Sequence, residues 1–155
     1  MRSKTSMWYE VKFRYEKTLD NGAQKKVTEQ YVVEAISFGA AEAAIVSEMA
    51  AYVSAGETDV RAAAIAPYSE VLLSNDDKDS KFYKAKVAFI TIDEKTGNER
   101  KNSRVYLVQA ASTSVAEHYI AEHFAPIMTE YEVQRVAETA IMGVFERKKV
   151  ESSTF

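Results

Sequence analysis

The side chains best equipped for chemistry are few. His118 and His123 stand in the run Glu117-His118-Tyr119-Ile120-Ala121-Glu122-His123. Two helical histidines hold one metal ion at a spacing of three or four, as in HExxH. Here the spacing is five, roughly 140° around a helix, so the two rings cannot face one ion. His118 and Glu122 form an i,i+4 pair on the face away from Ile120, the pattern of a solvated ion pair. Asp76, Asp77 and Asp79 suggest calcium by composition. Their loop lacks the EF-hand spacing and its closing bidentate glutamate, and it reads as an acidic connector. The chain has no cysteine, which removes disulfides, thiol nucleophiles and thiolate-bound metals or clusters. The five glycines are scattered, with no GxSxG, Walker or GxGxxG pattern. A carboxylate pair would leave no spacing signature, but nothing else points to catalysis. The chain is read as non-enzymatic, with no catalytic residue, metal or cofactor.

One constellation does suggest a ligand. Trp8, Lys12 and Arg14 share the outward face of one alternating segment, and Phe82 and Lys86 hold the matching places in a second. Lys25 and Lys26 lie in one hairpin, Arg100 and Lys101 in the other, and Arg104 stands close by. Rings interleaved with cations on an open sheet suit single-stranded nucleic acid, with bases stacked on the rings and phosphates tracked by the cations. Arg147, Lys148 and Lys149 would add to such a patch. Charge argues the other way. The chain carries a net charge of −3, and residues 7–146 hold 15 basic and 22 acidic side chains, whereas a strong duplex binder is usually basic. The competing reading buries Trp8, Phe82, Val32 and Leu107 against protein, because apolar surface on a sheet face marks interfaces.

These side chains need elements to position them. Residues 7–16 alternate, with Met7, Tyr9, Val11, Phe13 and Tyr15 on one face, which predicts a half-buried strand. Asp20-Asn21-Gly22 supplies a turn, and residues 26–36 return as a strand with Val27, Tyr31, Val33 and Ala35 inward. A helix is predicted over about 39–53, with Gly39 at its N-cap and a stripe of Ala41, Ile45, Met49 and Tyr52. A strand kinked at Pro67 follows over 59–73. The pattern then recurs: strand 82–92, turn Lys95-Thr96-Gly97 and strand 100–111. A helix over 114–127 opens on a Ser114–Glu117 capping box and presents Ala116, Ile120, Phe124 and Ile127. Strands over 130–138 and 140–147 end the chain.

The recurrence is visible residue by residue. Sliding 8–50 against 82–125, with one added residue in the second hairpin, gives eleven identities. Among them are Tyr9/Tyr83, Lys12/Lys86, Gly22/Gly97, Tyr31/Tyr106, Ser37/Ser112 and Ile45/Ile120. Chance would give roughly three, so an internal repeat is the better account. The expected fold is α+β: a duplicated β-β-α-β(β) repeat forming one pseudo-twofold domain, with antiparallel sheets and two covering helices. Repeat 1 spans 7–73, a linker 74–80 and repeat 2 81–147, with a disordered tail at 1–6 and a flexible one at 148–155. The longest apolar runs are five residues, too short to span a membrane. The basic start leads into no secretory core, which sets a cytoplasmic expectation.

Several stretches carry a resemblance: Met7-Trp8-Tyr9-Glu10-Val11-Lys12-Phe13-Arg14-Tyr15-Glu16-Lys17, Gln24-Lys25-Lys26-Val27-Thr28-Glu29, Phe82-Tyr83-Lys84-Ala85-Lys86, Ile92-Asp93-Glu94-Lys95-Thr96-Gly97 and Glu138-Thr139-Ala140-Ile141-Met142. Over about 7–146 they resemble an uncharacterised domain-of-unknown-function family of Bacteroidetes and their phages, crAss-like phages included. That resemblance implies a bacterial or phage accessory protein, with a lean towards DNA metabolism, and brings no catalytic residues. The expected function is therefore non-catalytic binding, through a protein partner or homo-oligomer at the aromatic and basic sheet face. The alternative is a single-stranded nucleic-acid accessory protein.

Overall fold

The structure is a computed structural model that describes residues 1–53 and 56–147. Its elements run β1 (Arg2–Lys4), β2 (Trp8–Thr18), β3 (Gln24–Glu34), α1 (Phe38–Met49), β4 (Asp59–Ile65), β5 (Tyr68–Leu73), β6 (Lys81–Ile92), β7 (Glu99–Ala110), α2 (Thr113–Phe124), β8 (Glu130–Glu138) and β9 (Ile141–Phe145). A short 3-10 turn, Ala50–Tyr52, extends α1. The class is α+β, mostly strand, as the alternating pattern predicted.

The chain forms two compact units, and it does not divide at the expected linker. The first unit holds Met7–Ala66 and the segment from Ile141; the second holds Met1–Ser6 and Pro67–Ala140. The first sheet runs β4-β2-β3-β9, and the second runs β8-β6-β7-β5-β1. Thus β5 leaves the segment expected to be repeat 1 and pairs in parallel with β7, while β9 pairs in parallel with β3. The break falls at Pro67, which has no N–H to continue a ladder. Just before it, the Ala66 N–H donates to the Trp8 carbonyl (2.8 Å) and closes the β4 ladder. Residues 74–80, expected to link repeats, form a loop inside the second unit between β5 and β6. Residues 2–4 are no loose tail, since β1 pairs antiparallel with β5 over Arg2↔Leu73 to Lys4↔Val71. The tail expected over 148–155 lies outside the described residues.

Each unit has the same internal register. β2 pairs with β3 and β4 antiparallel, with a bulge between Lys12 and Phe13. β6 pairs with β7 and β8 antiparallel, with a bulge between Lys86 and Val87. The parallel pairs match too: Tyr31↔Gly143 beside Tyr106↔Glu70, and Val33↔Phe145 beside Val108↔Leu72. Hairpin turns rest on Gly22 (φ 82°) and Gly97 (φ 71°), the left-handed conformation that glycine adopts without steric cost.

Each helix covers its own sheet. Ala41, Ile45 and Met49 pack on Tyr9, Val11, Phe13, Tyr31 and Val33. Ala116, Ile120 and Phe124 pack on Tyr83, Ala85, Val87, Tyr106 and Val108. The stripes stop there, because the helices end at Met49 and Phe124, and Tyr52 and Ile127 are exposed. The caps differ from expectation. Ser37 accepts from the Ala40 N–H (3.1 Å) and Ser112 from the Val115 N–H (3.3 Å), so neither Gly39 nor Ser114 is the N-cap. A serine one position before the first helical residue reaches the N3 amide; a serine already inside the helix cannot.

Candidate binding site

The residues expected to bind a ligand fall in both units: Trp8, Lys12, Arg14, Lys25 and Lys26 in the first, and Phe82, Lys86, Arg100, Lys101 and Arg104 in the second. Trp8 and Phe82 are 2% and 4% exposed, and Val32 and Leu107 are fully buried, so neither ring is presented for stacking. Alternation had placed Trp8 and Phe82 on the face away from α1 and α2; that face is buried at Trp8 and Phe82 and open at Lys12, Arg14 and Lys86. Lys12, Arg14, Lys25, Lys26 and Lys86 are exposed on or near the hairpin strands. Arg14 and Lys26 share a shallow depression with Glu57, Asp59 and Arg61, so acids are interleaved with the cations. Arg100 pairs with Asp93 (2.9 Å), Lys101 pairs with Glu132 (3.3 Å), and Arg104 lies over the Phe89 ring (5.4 Å). Lys148 and Lys149 lie outside the described residues.

The other candidates resolve individually. His118 pairs with Glu122 at 3.0 Å, as its spacing predicted. His123 instead reaches Glu70 on β5, also at 3.0 Å. Among the described residues no group of three His, Asp or Glu side chains is placed to hold a metal ion. Asp79 is not an ordinary connector acid. It is 4% exposed and accepts from the Ser74 and Tyr119 hydroxyls. Burial pushes its carboxyl up, but the Ser74, Tyr119 and Ala111 N–H hydrogen bonds outweigh that and hold it below the usual carboxylate range.

A concave site lies in the first unit. A cavity of about 630 Å³ is lined by Tyr15 and Lys17 of β2, Glu29 and Tyr31 of β3, Met49 and Tyr52 around the end of α1, and Met142 to Phe145 of β9. The Glu29 side chain is 12% exposed. Its Oε1 accepts from the Tyr15 hydroxyl (2.5 Å) and from the Tyr31 hydroxyl (2.9 Å). Its Oε2 faces the Lys17 ammonium at a loose 3.8 Å. The Tyr31 and Phe145 rings stack at 5.3 Å to form a wall. Burial first, then the hydrogen bond to Glu29 and its charge, push both phenols well above the usual tyrosine range. They therefore stay protonated at neutral pH and donate to the carboxylate. Phenols in that state are poor bases and poor nucleophiles, so the arrangement is suited to holding a ligand.

The second unit fills the same place. In register, Phe89 stands where Tyr15 does, Arg104 where Glu29 does, Phe124 where Met49 does and Glu70 where Gly143 does. Phe124 meets Phe89 (5.4 Å), Tyr106 (5.3 Å) and Tyr131 (5.1 Å), so rings occupy the volume.

A family model described as Domain of unknown function (DUF4494) matches residues 7–147. The chain belongs to this family. No curated protein and no solved structure matches it. The DUF4494 match covers both units apart from residues 1–6 and 148–155, and all of the residues that line the cavity. In this DUF4494 member, sequence reasoning missed Glu29, although a signal was present. Val27, Glu29, Tyr31 and Val33 alternate inward, so a carboxylate stands on an otherwise apolar face. A buried carboxylate requires partners, and Tyr15, on the inward face of the paired strand, is one of them.

Proposed function

We propose that the chain is a non-catalytic accessory binding module, bacterial or phage in origin and cytoplasmic, that works by protein contact or self-association. We also infer that its two units descend from one duplicated β-β-α-β-β ancestor, on the strength of their common registers and bulges. The contact surface in this reading is the outer edge of β9 and not the outward face of β2 and β6.

One observation carries it. Among the described residues the two sheets end on four strands: β1, β8, β4 and β9. Natural sheet edges are blunted by charges, prolines, bulges or covering segments. β8 carries Glu130, Glu132, Arg135 and Glu138; β4 carries Asp59 and Arg61; β1 carries Arg2 and Lys4. β9 reads Ile-Met-Gly-Val-Phe, with no charge and a single irregularity at Met142, between Gln30↔Ile141 and Tyr31↔Gly143. Its register counterpart β5 is covered by a strand, β1. An uncharged edge whose counterpart takes a strand is suited to taking one too, and the occupant favoured here is β9 of a second copy, paired antiparallel.

Sedimentation over a concentration series tests this. The wild-type chain should form a dimer that resists salt. Met142→Lys places a charge on the edge at a side chain that is already 55% exposed, and should leave a folded monomer. A wild-type chain that is monomeric throughout, or a Met142→Lys dimer of unchanged strength, would sink the β9 reading. The single-stranded nucleic-acid alternative has lost both of its stacking rings to burial and keeps only dispersed cations.

A further inference from the structure

We propose that the Glu29 cavity is a binding site for an alkylammonium group, the positively charged end of a primary amine. The cavity belongs to one unit, with its carboxylate on β3 and part of its wall on β9, and it requires no second copy of the chain.

Three features set the ligand class. The first is charge. A carboxylate, with its side chain only 12% exposed, is the acidic group at this cavity, and burying it favours a cationic partner. The second is geometry. Oε1 already accepts two phenolic hydrogens, from Tyr15 and Tyr31. A guanidinium binds best as a fork across both carboxylate oxygens, and here one is taken. A compact ammonium needs only Oε2. The third is the lining. The Tyr31 and Phe145 rings, the Tyr52 ring at the rim, and the Met49 and Met142 thioethers surround the carboxylate with polarisable apolar surface. Ring faces attract ammonium ions, and the alkyl stem gains by leaving water.

The molecule itself shows an ammonium at this oxygen. Lys17 Nζ stands 3.8 Å from Oε2, with its side chain 47% exposed. A pair so long and so open is worth little, so an incoming amine can displace it. Lys17 is thus a weak internal competitor for the site. An anion site would have the opposite logic, with Lys17 as the binding group and Glu29 as an obstacle.

The test uses the full chain and n-butylammonium chloride, with the Met49 and Met142 methyl resonances as reporters of the cavity wall. Both signals should shift saturably with n-butylammonium and not with n-butanol. Glu29→Gln keeps an oxygen for the two phenols and removes the charge; it should abolish saturation. Lys17→Met removes the competitor and should tighten binding about two- to five-fold. The sign of that change is decisive and does not require the Glu29 variant to fold. Nα-acetyl-lysine methylamide, run beside n-butylammonium, separates a lysine side chain from a free amine as the source of the group, and tighter binding of either one supports the site. No saturable shift in wild-type or Lys17→Met protein would overturn the proposal. So would unchanged binding in Glu29→Gln, or binding of propionate that Lys17→Met destroys.

Discussion

Replacing Asp79 tests whether the loop between β5 and β6 is held by one buried charge. Its carboxylate accepts from Ser74 Oγ (2.5 Å), from the Tyr119 hydroxyl and from the Ala111 N–H. Gln109 clamps the same loop from β7, donating to the Asp79 carbonyl (3.0 Å) and accepting from the Ser74 N–H (3.0 Å). A hydrogen bond to a charged group contributes about 1.5–3 kcal/mol net, and donors left buried and unpaired add to the loss. Ser74 and Tyr119 are only half-buried and regain water when the carboxylate goes. The three contributions therefore do not sum, and Asp79→Ala should cost about 2–3 kcal/mol in urea denaturation followed by circular dichroism. Asp79→Asn should cost less, since one oxygen still accepts. The pH dependence has a definite sign. The folded carboxyl is held below its ordinary value of about 3.9, so its contribution is present above that pH and is lost as pH falls through the folded value. The gap between wild type and Asp79→Asn should therefore narrow below about pH 4. An Asp79→Ala chain within about 0.5 kcal/mol of wild type, the range of ordinary surface changes, would refute this account. A gap that stays constant into acid would show that shape, not charge, holds the loop.

Two further outcomes follow from buried rings. Trp8 is the single tryptophan and is 2% exposed, so its emission should be blue-shifted, weakly quenched by acrylamide and unchanged by single-stranded oligonucleotide at low salt; an oligonucleotide-dependent, salt-sensitive change would restore the stacking reading. Tyr15 and Tyr31 titrate above the ordinary tyrosine value of about 10, so their contribution is full below that pH and is lost as pH rises past it. Tyrosinate absorbance should show Tyr15 and Tyr31 among the late-titrating tyrosines, beside Tyr106 and Tyr119, whose values are also raised, and Glu29→Gln should bring Tyr15 and Tyr31 part of the way down. Titration of these two as late in Glu29→Gln as in wild type would assign the shift to burial alone.

Much of the fold was legible because its signals are local. Alternation over 7–16 and 82–92 located β2 and β6 and their inward faces. The identity of Ser37 with Ser112 marked a common cap, although the capping residue was first sought two positions further on. What stayed hidden is non-local. A parallel strand pair is joined by a long connection and leaves no turn signature, so nothing near Tyr68–Leu73 or Ile141–Phe145 announces that each strand pairs in the unit that the strand just before it does not occupy. Alternation also assigns a residue to a face without saying whether that face is covered. Trp8 was therefore placed on the right face and given the wrong environment. Asp79 is one acid among three in a short polar loop, and composition cannot single out the one that three donors surround.

The comparison of the two units also explains why a site is open in one of them. Their registers agree residue for residue, so the backbone offers both the same space between helix end, central strands and parallel strand. What differs is volume and charge at a handful of positions. Phe124 in place of Met49 brings a ring that reaches Phe89, Tyr106 and Tyr131 at once, and the space closes as packed core. Met49 ends in a flexible thioether, Gly143 adds no side chain beside Tyr31, and Glu29 brings a charge that packed rings would strand. A closed core stabilises its unit by burying rings. A cavity forgoes part of that stabilisation, and here it retains a carboxylate held by two phenols, an arrangement that core packing alone does not require. The first unit therefore keeps, at the register where the second is filled by rings, a charged cavity.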